Sequence, residues 1–112
     1  MAHADHAILA QRRRDLAVAA RHWKAAAGLE ARAAALTTDE PSRSILYRSA
    51  AWLAVHAGDL PRARTLARTG LAGHPSTDIA AELREVLADP RIVALDGAKP
   101  LRSPRSDRTP GG

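Results

Sequence analysis

Five histidines, a run of three arginines and two tryptophans are the side chains of this 112-residue chain best suited to chemistry or recognition. His3 and His6 lie close to the N-terminus, while His22, His56 and His74 are scattered, and the chain has no cysteine. The histidines have neither the spacing of a zinc-type ligand set nor cysteine partners, so no metal is expected. Glu82 and Glu85 stand three apart with Arg84 between them, which reads as the wet face of a helix. No Ser/His/Asp set, glycine-rich phosphate loop or paired carboxylates in an apolar setting are present, so neither an enzyme nor a cofactor is expected. Arg12-Arg13-Arg14 has two readings: phosphate contacts, or a solvated helix face partly offset by Asp15.

Composition says what must position these residues. Hydrophobic residues make up 46% of the chain, but aromatics only 3%, with no Phe. About a quarter of the chain is alanine, well above ordinary usage. Few β-branched and aromatic residues disfavour a sheet. A core built from alanine requires closely approaching helices, because few side chains can fill a wide gap. The formal charge of +5 is uneven: Lys99, Arg102, Arg105 and Arg108 against Asp107 place most of it after residue 98. Residues 7–10 are apolar for only four positions before Gln11 and the arginines, and no uncharged run approaches the roughly 18 residues of a membrane span. Together with the absence of cysteine, this leads to the expectation of a cytoplasmic protein without membrane contact.

Apolar periodicity lays out the elements. Residues 1–6 are expected to be flexible, 7–96 to form a helical domain, and 97–112 to be a disordered basic tail rich in Pro, Gly, Ser and Arg. Leu9, Leu16, Ala20, Trp23, Ala27 and Ala34 form one stripe at helical spacing, which assigns Trp23 to the core. Ser42 or Ser44 can cap a helix running to Ala57, with Gly58 as its left-handed C′ residue. Asp59 can cap the next, with Pro61 in its first turn. Ser76 or Thr77 opens a last helix, with Ile79, Leu83, Val86 and Leu87 inward, and Asp89-Pro90 closes it. Residues 91–96 form a short apolar coda.

Shifting the chain by 37 residues superposes residues 7–29 on 44–66, with Ile8/Ile45, Leu9/Leu46, Leu16/Leu53, Ala17/Ala54 and Val18/Val55 coinciding. The repeat favours a degenerate hairpin over 7–41 before a clear one over 44–77, with a capping helix over 77–89. The competing reading is one uninterrupted helix from 7 to 36, since Arg21-His22-Trp23 contains no turn former. The expected class is all-α, a short stack of antiparallel helical hairpins with a C-terminal capping helix.

Residues 44–77 resemble a tetratricopeptide repeat. The pattern is carried by Tyr47 early in the first helix, Ala50 and Ala51 at the crossing, the Gly58-Asp59 turn, Ala63 and Gly70 down the second helix, and Pro75 at the end. The preceding unit departs from it, because Arg12-Arg13-Arg14 stand where Ser49-Ala50-Ala51 pack. The succession from Ser49 to Leu87 also resembles small bacterial proteins carrying one or two such repeats. The resemblance implies a groove for peptides or partner helices lined by Ile45, Arg48, Trp52, Val55 and His56, extended by Ile8, Gln11, Asp15 and Val18. In it Trp52 would be an aromatic anchor and Arg48 a receptor for carboxylates, or Trp52 would fill a gap between hairpins. The expected function is a protein–protein interaction or adaptor module whose protein or peptide partner includes acidic ones, with self-association as a further outcome. The alternative is a small nucleic-acid-binding protein that uses Arg12–Arg14 and the basic tail.

Overall fold

The core of the protein is alanine against alanine. Ala27 and Ala34 of the first helix, Ala50, Ala51 and Ala54 of the second, and Ala63 and Ala67 of the third are all fully buried. The computed structural model describes residues 2–102, with side chains over 6–97. It contains α1 (Ala2–Ala35), α2 (Ser42–His56), α3 (Leu60–Leu71), α4 (Thr77–Leu87) and α5 (Pro90–Arg102), and no strand among the described residues. All five pack on one another: α1 on α2, α2 on α3, α4 on both α2 and α3, and α5 on α3 and α4.

Local chemistry sets the boundaries. Gly58 takes φ 77°, the left-handed conformation that ends α2 at little steric cost. The Asp59 carboxylate accepts from the Arg62 N–H at 3.4 Å, and the Ser76 hydroxyl accepts from the Ile79 N–H at the same distance, so α3 and α4 are side-chain capped. The start of α2 is handled differently from the expected serine cap. Pro41 occupies the cap position without a side-chain bond, and the Glu40 carboxylate accepts from the Ser44 N–H at 2.9 Å and the buried Ser44 hydroxyl at 2.7 Å. The same carboxylate accepts from the His74 N–H at 2.9 Å, which ties the loop before α2 to the loop after α3.

These bonds, led by those from the Ser44 hydroxyl and the His74 N–H, hold the Glu40 carboxyl below its ordinary range. The Arg91 guanidinium and backbone do the same for Asp89. A carboxyl depressed in the folded state adds stability above its unfolded pKa and loses it as pH falls through the folded one. Urea midpoints of the wild type and Glu40→Gln should therefore differ near neutrality and converge as pH falls below the ordinary carboxylate range. A gap that stayed constant with pH would remove the carboxylate from the account.

Four expectations are corrected. Residues 7–36, expected to bend as a degenerate hairpin within 7–41, lie in one continuous helix. With no turn former at 21–23 and no left-handed residue at Gly28, nothing offsets the hydrogen bonds a bend would break. The capping helix of 77–89 is α4, and it has a partner, because residues 91–96 belong to a fifth helix. Asp89 and Pro90 open that helix: the Asp89 carboxylate accepts from the Arg91 N–H at 2.9 Å and Pro90 takes the first position. Residues 97–102, expected to be disordered, continue α5, while 103–112 lie outside the described residues. The flexible start at 1–6 is likewise replaced by helix from Ala2, with Met1 outside the described residues.

The radius of gyration is 18.7 Å, against about 13 Å for a compact chain of this length. Helix lengths explain the excess. With 34 residues α1 is about 51 Å long, while the 15 residues of α2 cover only about 22 Å of it. The N-terminal half of α1 therefore overhangs.

Candidate functional site: the open face of α2

Each side of α2 has a different neighbour. Tyr47, Ala51 and Ala54 are buried in the core, Arg48 reaches across to α4, and His56 meets α1. Ile45, Ser49, Trp52 and His56 follow at spacings of four, three and four, which puts them on one open stripe. Ile45 and Trp52 are partly buried against the core, and His56 is exposed.

At the C-terminal end of this stripe the His56 and Trp23 rings lie 5.3 Å apart between centroids, tilted by 33°. Trp52 sits one turn before His56. Both tryptophans of the chain therefore gather around one end of α2, an arrangement that offers broad apolar contact with a polar rim. At the side facing α4, Arg48 Nη1 donates to both Glu82 oxygens at 3.2 and 3.1 Å. Side-chain exposures of 27% and 39% make this a surface pair of small energetic weight, but one that occupies the guanidinium.

Of the groove residues, Ile45, Trp52 and His56 are brought together on the open face. Arg48 is engaged by Glu82, so its role as a free carboxylate receptor is corrected, as is the reading of Glu82 as merely wet. Val55 is corrected too: it is buried with Leu66 and Ala67 in the core. Ile8, Gln11, Asp15 and Val18 lie on the overhang, far along α1 from α2, and do not extend this face. Trp23, assigned to the core, is 42% exposed, because α2 stops beside it. Of the turn and crossing residues, Tyr47, Ala50, Ala51, Ala63 and Gly70 are buried, Gly58 and Asp59 lie between α2 and α3, and Pro75 lies in the loop before α4.

The remaining charged candidates resolve separately. Arg64 and Arg68 both bind Asp96 of α5 and form an ion-pair cluster with it. His74 contributes its backbone to Glu40, and no group of three potential metal ligands occurs among the described residues. A hollow of about 450 Å³ bordered by Leu71, His74, Pro75, Ala80 and Arg84 lies where α3 hands over to α4, away from the aromatic face. Among the described residues no helix is long and apolar enough to cross a membrane.

Sequence reading missed the Trp23–His56 contact. The signal available was the length mismatch between the helices, which leaves the last residue of α2 beside position 23 of α1. No family profile matches the chain, and no curated protein or solved structure matches it at a significant level.

Proposed function

We propose that this chain is a non-catalytic interaction module of the tetratricopeptide type, which holds an extended segment of a partner protein against the open face of α2. The observation that carries the reading is the Trp23–His56 ring contact, with Trp52 one turn before His56 on the same stripe of α2. Aromatic side chains that are half-buried before binding lose little entropy on contact and commonly dominate interface energies. The packing order is the second support. Helices α2 and α3 form one hairpin, α4 packs on both, and α5 packs on α3 and α4, as in a stack where each hairpin lies on the one before.

Because Glu82 engages Arg48, the partner side chains favoured here are apolar and aromatic, without a required carboxylate. Both tryptophans report on the face, so intrinsic fluorescence measures binding directly. In a titration with a panel of extended peptides carrying apolar residues at alternate positions, Trp52→Ala should weaken the best binder by roughly tenfold or more. Circular dichroism should confirm that the fold is retained. A panel with no binder, or a variant that binds as well as the wild type, would sink the reading.

One observation favours the nucleic-acid alternative. Arg12, Arg13 and Arg14 are exposed on the overhang and make no ion pair among the described residues. Full-length chain retained on DNA with a steep loss at high salt, and much weaker retention of residues 1–102, would support that alternative.

A further inference from the structure

The face of α1 that is buried by α2 does not stop where α2 stops. Ala27, Ala31 and Ala34 pack inward, and the same stripe continues toward the N-terminus through Trp23, Ala20, Leu16 and Leu9. Leu16 is 70% exposed and Leu9 51%, so large apolar side chains stand in solvent on an otherwise polar overhang. Leu9, Leu16 and Trp23 recur every seven residues with Ala20 between them, a seam suited to a second helix. Small Ala19 and Ala20 allow close approach.

Charge selects the occupant. Residues 6–24 carry five cations, Arg12, Arg13, Arg14, Arg21 and Lys24, and one anion, Asp15. Arg12 lies beside the seam and Arg13 interrupts it, one turn after Leu9 and one turn before Leu16. We infer that the overhang docks an acidic amphipathic helix of a partner protein, laid on the Leu9–Ala20 seam in line with α2, with carboxylates against Arg12 and Arg13. The occupant extends the α1–α2 packing by about three turns and supplies the anions the overhang lacks.

Other occupants fit less well. A second copy would bring five cations against five, and its own α2 would block the seam beyond Trp23. A lipid surface would have to accept Arg13 within the inserted face. Nucleic acid would engage the arginines and leave Leu9 and Leu16 in water. The seam meets the open face of α2 at Trp23, but the docking segment itself, Leu9 to Ala20, uses neither Trp52, His56 nor Ile45.

The probe is a fluorescein-labelled 20-residue peptide with leucine at the a and d positions of the heptad and glutamate at e and g, titrated with the full chain. A peptide with lysine in place of glutamate is the control. Binding of the glutamate peptide is expected, weakening by roughly tenfold between about 50 and 500 mM salt, with no binding of the lysine peptide. Leu16→Glu and the pair Arg12→Glu/Arg13→Glu should each weaken it by roughly tenfold or more, while Trp52→Ala leaves it unchanged. Leu16 is exposed, so its variant should keep the helical spectrum. The inference falls if the glutamate peptide fails to bind, or if Leu16→Glu has no effect. It also falls if light scattering shows a dimer through this seam, or if anionic vesicles or duplex DNA bind more tightly than the peptide.

Discussion

Replacing Leu83 by alanine is expected to destabilise the protein by about 3 kcal/mol, as judged from large-to-small core substitutions. Among the fully buried side chains of the described residues only Leu83, Ile92 and Val86 are larger aliphatics; most of the rest are alanines. A buried methyl group contributes only about 0.8 kcal/mol, so a core of alanines depends on its few larger anchors. Leu83 joins α4 to the α2–α3 hairpin: its two Cδ atoms lie 3.1 and 3.3 Å from where a Cβ on Gly70 would stand. Alanine backbones already in contact cannot close the cavity, so the cost should sit in the middle of the usual range. For a domain with total stability of about 5–15 kcal/mol, this is a large share, equivalent to a fall in Tm of about 10–20 °C. Urea denaturation should show a lower midpoint at unchanged slope. A loss below about 1 kcal/mol would mean that α4 is not seated on the hairpin through this residue.

Gly70→Ala and Gly28→Ala, the same substitution inside two helices, should have opposite signs. At Gly28 an added Cβ would meet nothing nearer than an arginine nitrogen at 4.0 Å, so alanine should stabilise α1 by about 1 kcal/mol through helix propensity. At Gly70 it would stand 3.0 Å from Tyr47 Cβ and 3.1 Å from Leu83 Cδ1, closer than carbon atoms pack. The Tyr47 Cβ is fixed to its backbone and cannot swing away. Overpacking of this kind costs about 1–3 kcal/mol, which outweighs the gain in propensity and leaves Gly70→Ala net destabilising. Combined with Leu83→Ala, part of the clash disappears, so the double variant should be more stable than the sum of the two losses implies. Strict additivity in chemical denaturation would show that the two positions do not touch.

Much of the architecture was legible because it rests on local chemistry. Gly58 followed by Asp59 and Pro61 ends one helix and starts another, and any chain with those residues there meets the same backbone constraints. Inward placement of Ile79, Leu83 and Val86 followed from helical period alone. The same signals were misread where they had two meanings: Asp89-Pro90 can close a helix or open one, and here it opens α5. The 37-residue repeat pointed to a bend in the first unit, but repetition of apolar positions records which side faces inward, not whether the chain turns.

The sequence by itself determined an all-helical protein with close-packed small-residue crossings, since alanine favours helix, β-branched and aromatic residues are sparse, and the apolar positions recur at helical spacing. Tertiary structure alone decided which surfaces stay open. It engaged Arg48, read as a free carboxylate receptor, with Glu82 across 34 residues, and it tied Arg64 and Arg68 to Asp96. It also stopped α2 beside Trp23, exposing half of a stripe that periodicity assigns to the core. Periodicity reports the direction of a side chain around its own helix; whether anything lies in that direction depends on the length and position of another.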